Sequence, residues 1–482
     1  MLTIMRARWV LPVDGPPIEN GEVVVSGDSI VAVGPASATR MDTPDSHDPH
    51  NVLDLGDAVL LPGLVNVHTH LDYTVMRGLL EDIAFFPWIR ELTMRKAALI
   101  QEDWRASAIL GAAEAVAGGV TTIGDCTDSG AACLGAKILG MRGIIYQEVF
   151  GIDELRSVSE IVAELVDKVA RLRDETRGTA LHIGISPHSP YTVRPALMQA
   201  LAELAQSETL PVCIHAAESR AEAELLLSGT GVIAEMFTRR NIDWSVPKRS
   251  TVAYLDSFGI LGSQTLLVHG VQASAGDRDI VRERGAAWAH CPKSNAKLGN
   301  GVAPLGILAD IRHKEGAAQN TATGFASQPR VRIGLGSDSV ASNNTMDLFE
   351  EMRFAVLMQR AARRKIEAMT AREAVEMATI GGARALNLDA EIGSLTPGKR
   401  ADLCAVRLSD LHSLPAYDPY NALVYAARAS DVVLTMIDGV IRYDALLGSE
   451  WRSRFPYNDL TEDSAQFQRA AQKMRDWKGS TG

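Results

Sequence analysis

The middle of the chain alternates short apolar segments with longer amphipathic ones. Apolar segments of strand length, bounded by turn residues, predict β-strands, and apolar residues recurring every three to four positions predict helices. The predicted helices include residues 102–117, 155–173, 194–207 and 277–284. The predicted strands are residues 61–68, 121–126, 143–150, 181–187, 211–215, 265–269, 286–291 and 331–338. Eight strands alternating with helices predict a (β/α)8 TIM barrel over residues 61–389, an α/β fold.

The two ends of the chain have a different pattern. Both are rich in valine and glycine and contain short apolar runs of strand length. They predict one small β-sandwich built jointly from residues 1–60 and 390–450. Residues 451–482 are predicted to form a C-terminal helical extension. The stretch 316–330, rich in glycine, alanine and threonine, predicts a mobile insertion before the eighth strand.

Several predicted strands end in residues that commonly bind metals. The first ends at His68, and His70 follows two positions later; in an extended chain both imidazoles face the same side. His215, His269 and Asp338 end the fifth, sixth and eighth strands. The carboxyl ends of barrel strands gather at one face, so we expect these side chains to converge there. Imidazole and carboxylate are ligands suited to zinc and its neighbours in the periodic table.

The sequence favours one metal ion. Its predicted ligands are His68, His70, His215 and Asp338. Such an ion lowers the pKa of a bound water toward about 7 and so provides a hydrolytic nucleophile at neutral pH. Two-metal hydrolases on similar barrels use a carbamylated lysine at the fourth strand end, and this chain has no lysine between Lys168 and Lys248. A metal-free scaffold is the non-enzyme alternative, although no expected ligand is missing.

Three residues near the predicted ion are candidates for catalysis. Glu218, three positions after a ligand, is the candidate general acid/base that carries the proton of the water to the leaving group or ring nitrogen. The alternative is that Glu218 stabilises the first turn of the next helix. His269 is either a further ligand or the hydrogen-bond partner of the water. Asp338 is a ligand that can also accept a proton from that water.

Composition narrows the class of protein. The 482 residues are 46% hydrophobic and 5% aromatic, and the formal net charge is −11. The protein therefore has no overall positive charge that would attract nucleic acid or an anionic membrane. The five cysteines form no Cys-X-X-Cys pair, which indicates reduced thiols and a cytoplasmic protein. No long uncharged apolar stretch is present. We therefore expect a soluble enzyme that acts on a small molecule.

Four motifs together resemble one known family. They are PGLVNVHTH at residues 62–70, HAAE at 215–218, HCPKSNAKLGNG at 290–301 and GSDSVASNN at 336–344. They resemble the deaminase and chlorohydrolase branch of the amidohydrolase superfamily, over about residues 1–445. The resemblance implies a mononuclear zinc centre, with iron(II) as the alternative, held by the four ligands named above. It also implies that Glu218 and His269 serve the water and the leaving amine, and that homo-oligomers are the default assembly.

Further motifs indicate the substrate class. Arg77, Glu81 and Trp88 are similar to residues of deaminases acting on S-adenosylhomocysteine, methylthioadenosine or aminodeoxyfutalosine. The motif SPHSPY at 186–191 also resembles these enzymes, in which its histidine, here His188, contacts the nucleoside. The alternative for His188 is a structural role in its loop. The expected substrate contacts are therefore Trp88, His188 and Glu218.

The expected reaction is metal-dependent hydrolytic deamination of a 6-aminopurine nucleoside derivative by attack of metal-bound hydroxide at C6. The residues after the HAAE motif resemble aminodeoxyfutalosine deaminases of the alternative menaquinone route most, which makes 6-aminodeoxyfutalosine the first expectation. Ala97 and Gln147 stand about where a ribose-binding glutamate and a carboxylate-binding arginine would be expected, which argues against S-adenosylhomocysteine. The alternatives are deamination of S-adenosylhomocysteine or methylthioadenosine, and a guanine- or triazine-type aminohydrolase or chlorohydrolase.

Overall fold

The computed structural model describes residues 2–36, 51–153, 155–308 and 331–477, so the predicted insertion at 316–330 lies outside the described residues. The strands are β1 Leu2–Val10, β2 Ile18–Ser26, β3 Ser29–Pro35, β4 Asn51–Asp54, β5 Ala58–Pro62, β6 Leu64–Thr69, β7 Val120–Thr127, β8 Arg142–Val149, β9 Leu181–Pro187, β10 Val212–Ala216, β11 Thr265–His269, β12 Ala287–His290, β13 Arg332–Leu335, β14 Leu403–Arg407, β15 Val432–Ile437 and β16 Val440–Asp444. The helices are α1 Phe85–Lys96, α2 Gln101–Ala117, α3 Ala132–Ile138, α4 Val158–Glu175, α5 Pro195–Ser207, α6 Arg220–Ser228, α7 Val232–Arg239, α8 Thr251–Asp256, α9 Ala275–Arg284, α10 Pro292–Lys297, α11 Leu305–Leu308, α12 Val340–Asn343, α13 Leu348–Arg363, α14 Ala371–Met377, α15 Ile380–Ala385, α16 Pro419–Asn421 and α17 Thr461–Asp476.

The predicted TIM barrel is confirmed. Strands β6 to β13 form one parallel sheet in sequential order, and each strand pairs with the next along the chain. The sheet closes where the amide of Asp338 donates to the carbonyl of His68 over 2.9 Å, beside a parallel bridge between Thr69 and Asp338. The seam of the barrel therefore passes through two of the predicted metal ligands.

The second β-unit, built from both chain ends, is also confirmed. Its eight strands follow the order β16, β15, β14, β5, β1, β2 and β3, with β4 on the free part of β1. The two ends meet where β5 pairs antiparallel with β14. The predicted first barrel strand began at residue 61, but Pro62 and Gly63 divide that apolar segment: β5 belongs to the end sheet and β6 to the barrel. Proline lacks the amide hydrogen that a continuing ladder requires.

A buried arginine joins the two units. Arg142, at the start of β8, is 4% exposed, and its Nε donates to Asp402 Oδ2 over 3.0 Å. The same guanidinium pairs with Glu391 over 3.2 Å and with Asp438. Because Asp402 precedes β14, this ion-pair network fixes the end sheet against the base of the barrel.

The C-terminal helix α17 packs against α2. Lys473 Nζ donates to the buried Asp103 over 2.6 Å, and Gln466 donates to the same carboxylate over 2.7 Å. Among the described residues, no helix is both long and apolar enough to cross a membrane. All five cysteines are buried and free of disulfide bonds.

Candidate active site

The structure brings the four predicted metal ligands together at the carboxyl ends of the barrel strands. One potential ligand atom from each of His68, His70, His215 and Asp338 lies within 4.8 Å of each of the others. Asp338 Oδ1 is 3.3 Å from His68 Nε2 and 3.5 Å from His70 Nε2. All four residues are buried, so the cluster is shielded from bulk solvent.

An orphaned nitrogen atom supports a cation site in this cluster. His68 Nε2, which faces Asp338 Oδ1, is buried and forms no hydrogen bond. Buried polar atoms almost always have a partner, and an exception requires an explanation. Three imidazoles and a carboxylate facing one point are a donor set suited to a divalent ion such as zinc or iron(II).

Neighbouring groups orient the ligands. His215 Nδ1 lies 2.9 Å from the carbonyl of His188, so Nδ1 carries the hydrogen and Nε2 is left free to bind a metal. Asp338 Oδ2 accepts hydrogen bonds from Ser294 over 2.6 Å and from Ser342 over 2.9 Å. These contacts fix both side chains before any ion binds.

The backbone is strained at two site residues. His269 has a φ of 76° and Asp338 a φ of 59°, in the left-handed region that residues with a Cβ rarely adopt. Gly336 lets the chain approach β6 closely, since a Cβ there would lie 2.8 Å from the Cβ of His68. The strain places both polar side chains in the barrel mouth.

Glu218 and His269 face each other beside the ligand cluster. His269 Nε2 is 3.8 Å from Glu218 Oε1, and Asn300 Nδ2 donates to that same oxygen over 3.1 Å. His269 Nδ1 lies 2.9 Å from Asn295 Oδ1, so Nδ1 carries the hydrogen and Nε2 is the free acceptor. Asn295 therefore orients the ring of His269.

Glu218 does not cap the following helix. The cap of α6 is Ser219, whose side chain accepts from the amide of Glu222. The Glu222 carboxylate in turn accepts from the amides of Ala217 and Glu218 over 2.8 and 3.0 Å. Because Ser219 and Glu222 satisfy the start of the helix, the Glu218 side chain is left to face the cavity.

Burial sets the ionisation of these groups. It lowers the pKa of His70 and of His188 to about 3, and that of His269 to about 4, so these imidazoles are neutral at pH 7. Burial, assisted by the charges of Asp338 and Glu222, raises the pKa of Glu218 well above its ordinary value. At His68, burial lowers the pKa but the contact with Asp338 outweighs it and raises the pKa to about 10. The site therefore combines three neutral imidazoles with a carboxyl group that holds a proton unusually tightly.

A cavity of about 440 Å³ opens beside the ligands, within the size range of small-molecule sites. Trp88 on α1 lines it, as does His188, whose Nδ1 is 3.0 Å from Thr192 Oγ1. The cavity thus reaches Trp88, His188 and Glu218, the three predicted substrate contacts. Its apolar part is formed by Phe85, Trp88, Ile89, Leu92, Phe150, Ile152 and Leu298.

Two positions compared in the sequence analysis do not line this cavity. Ala97 is exposed at the end of α1, whereas the preceding Lys96 faces the cavity. Gln147 points away from it and donates to the carbonyl of Asp128 over 3.0 Å, whereas the next residue, Glu148, lines it. Sequence reasoning missed Lys96 and Glu148, although a carboxylate near the end of the buried strand β8 was a signal for the second.

Other polar residues of the predicted motifs hold loops in place. Lys297 forms an ion pair with Glu81 over 2.8 Å, which joins the loop after β12 to the loop after β6. Arg77 pairs with Glu114 on α2. His290 is buried, and neither of its ring nitrogens forms a hydrogen bond.

Fold and site together define the class of metal-dependent barrel hydrolases. The sequence profile described as "Amidohydrolase family" matches residues 59–442. The chain therefore belongs to the amidohydrolase family, and it is a hydrolytic deaminase acting on C–N bonds.

Named relatives support this classification. The chain is 32% identical over 446 residues to the 5-methylthioadenosine/S-adenosylhomocysteine deaminase of Syntrophobacter fumaroxidans, covering 91% of this chain and 92% of the relative. Its identity to the protein of the same name from Haloarcula marismortui is 32% over 430 residues, covering 88% and 89%. These names match the alternative drawn from the sequence better than its first expectation, aminodeoxyfutalosine.

Solved structures agree with the fold. A zinc-bound adenosine deaminase from Xanthomonas campestris superposes with a TM-score of 0.81 at 26% identity, covering 98% of this chain and 99% of that one. The zinc complex of an atrazine chlorohydrolase from Arthrobacter aurescens has a TM-score of 0.78 at 21% identity, covering 97% and 100%. The second likeness supports the fold alone.

Proposed function

We propose that this protein deaminates a 6-aminopurine nucleoside whose 5′ substituent is uncharged, with 5′-methylthioadenosine as the model substrate. One observation carries the proposal. The four candidate ligands are buried and lie beside Glu218 and His269 at one end of a largely apolar cavity. The names of the relatives support the nucleoside class.

The candidate metal ligands are His68, His70, His215 and Asp338. A bound zinc or iron(II) ion would activate the water molecule that attacks C6. The protein's own side chains orient the reacting groups and transfer the protons. Asp338 is held by two serine hydroxyls and faces two of the imidazoles, so it is suited both to hold the ion and to orient the attacking water.

Glu218 is suited to move the proton. In the net reaction the oxygen of water bonds to C6 and the C6–N bond breaks; one proton of the water ends on the ring nitrogen next to C6 and the other on the amino group, which leaves as ammonia. Glu218 takes a proton from the water and delivers it to the ring nitrogen next to C6, and Asn300 holds the carboxyl in place. His269, oriented by Asn295, accepts a hydrogen bond from the water through Nε2. The apolar walls of the cavity exclude other water from this exchange.

The charges of the cavity favour an uncharged 5′ substituent. Among the described lining residues, the lysine and arginine side chains are Lys96 and Arg240. Both are already paired, Lys96 with Asp128 and Arg240 with Asp153. A carboxylate on the substrate, such as the benzoate of aminodeoxyfutalosine or the amino acid of S-adenosylhomocysteine, would have to break one of these pairs. The aromatic and aliphatic wall around Trp88 suits an alkylthio group instead.

The test is ammonia release by zinc-loaded protein. The substrates are 5′-methylthioadenosine, adenosine, S-adenosylhomocysteine, aminodeoxyfutalosine and guanine, together with a chlorotriazine for which chloride is followed in parallel. We expect the highest kcat/KM for 5′-methylthioadenosine. Higher turnover of aminodeoxyfutalosine would contradict the charge argument, and turnover of the triazine alone would contradict the nucleoside class.

Metal analysis separates the enzyme from an inert scaffold. We expect one equivalent of zinc or iron in the purified protein, and its loss in the His70→Ala variant. The matched control is His182→Ala, because His182 is exposed on β9 and lies outside the candidate ligand set. A wild-type protein that neither contains nor takes up a divalent ion would overturn the proposal.

A further inference from the structure

A second polar cluster lies in the same cavity, away from the candidate ligands. We call it the polar wall; it consists of Lys96, Asp128 and Glu148, which all line the cavity. Lys96 Nζ donates to Asp128 Oδ2 over 2.5 Å and to the hydroxyl of Tyr73 over 2.7 Å. Glu148 is 5% exposed, and its Oε2 has no hydrogen-bond partner. The polar wall therefore presents a buried acceptor that lacks a donor.

The position of the polar wall indicates which part of a nucleoside would reach it. A carboxylate oxygen of Glu148 lies within 4.8 Å of a ring nitrogen of His188 and of His215. On the other side, Lys96 Nζ is 6.0 Å from the centre of the Phe150 ring, which belongs to the apolar part of the cavity. The polar wall thus lies between the candidate metal ligands and the apolar surface. In a nucleoside, the sugar lies between the base and the 5′ substituent.

We propose that the polar wall binds the 2′,3′-diol of the ribose, and that Glu148 is the acceptor that selects for it. This inference rests on the proposed function and deepens it. A buried carboxyl group with an unpartnered oxygen accepts hydrogen bonds from neighbouring hydroxyls. The diol supplies those donors without adding charge. An anionic group would face the carboxylate of Asp128 and the buried carboxyl group of Glu148, while the single ammonium of the polar wall is already paired.

Substrate analogues test the proposal directly. The kcat/KM values for 5′-methylthioadenosine and for its 2′-deoxy and 3′-deoxy analogues are compared in the wild type and in Glu148→Ala. We expect the wild type to prefer the ribose form over at least one analogue by about 5- to 100-fold, the range for leaving a buried polar group without its hydrogen-bond partner. In Glu148→Ala we expect the preference to fall to near one, mainly through loss of activity on the ribose form. A purely structural defect would lower activity on all three substrates and leave their ratio unchanged.

The matched control is Glu164→Gln, which removes a carboxylate that is 46% exposed on α4 and outside the cavity. We expect it to keep the wild-type preference. If Glu148→Ala fails to fold, Glu148→Leu, which fills similar space without an acceptor, serves the same comparison, read as the affinity of the product 5′-methylthioinosine against its deoxy forms by intrinsic tryptophan fluorescence. Turnover without any ribose preference, or a preference that survives in the Glu148 variants, overturns this inference alone. If the metal-loaded protein deaminates none of the nucleosides, the proposed function is overturned, and this inference with it.

Discussion

Replacement of Glu218 by glutamine separates proton transfer from every other property of the site. Glutamine has nearly the same volume as glutamate. Its carbonyl oxygen can still accept the hydrogen bond from Asn300, which is 3.1 Å long in the wild type. It cannot take up and release a proton at neutral pH. Glu218 lies outside the candidate ligand set, so we expect metal binding to be unchanged.

The expected loss follows from the role of the proton carrier. A positioned general acid/base contributes about 10²- to 10⁴-fold to the rate. At about 1.4 kcal/mol for each factor of ten, this corresponds to about 3 to 5 kcal/mol of the activation barrier. We expect kcat of Glu218→Gln to fall by that factor, while KM changes little. Burial raises the pKa of Glu218 above its ordinary value, the direction that suits a group that must take up and then release a proton at neutral pH.

The assay is steady-state ammonia release, with metal content measured on the same samples. The control is Glu224→Gln, a partly exposed carboxylate on α6, the helix that follows Glu218; it pairs with Arg220 and lies outside the cavity. Normal turnover by Glu218→Gln with its metal in place would refute the reasoning. So would a loss of metal from this variant, because Glu218 would then belong to the metal site instead.

Three further results are expected. Asn295→Ala should lower kcat by about 10- to 100-fold and leave the metal content unchanged, because His269 loses the partner that fixes its ring. The acid limb of the kcat/KM profile should lie well above pH 4.5, because burial raises the pKa of Glu218, which must be ionised to take the proton from the water; activity is lost as the pH falls through that raised pKa, and a limb at or below 4.5 would contradict this. Arg142→Met should destabilise the fold by about 3 to 5 kcal/mol in thermal melts, because the buried Asp402 loses its cation; Arg173→Met, at an exposed ion pair, should change little.

The barrel and the ligand cluster were predictable because each depends on a local signal. Strands of a barrel are buried on both faces, so they are nearly continuous apolar segments, and the residue that ends each one marks the mouth. His68, His215 and Asp338 all end such segments in the sequence. The break at Pro62 was visible too, but its consequence depends on a partner strand near the other end of the chain.

The substrate side of the cavity was not predictable in the same way. Which residue of a helix faces a cavity depends on the rotation of that helix, and a step of one position turns the side chain by about 100°. This is why Ala97 was compared when Lys96 lines the cavity. Along a strand, a step of one residue reverses the face, which separates Gln147 from Glu148. Only tertiary packing determines which residue of a helix or strand faces the cavity.

The pairing of β5 with β14 bears on how the chain is made. The paired residues Pro62 and Leu403 are some 340 positions apart, so during synthesis β5 waits for its neighbour while the whole barrel is translated. At about 5 to 20 residues per second this takes tens of seconds. Until then an apolar strand has an open edge, the kind of surface that pairs with other chains. Whether the newly made chain avoids aggregation therefore depends on how well that strand edge is protected before the C-terminal strands leave the ribosome.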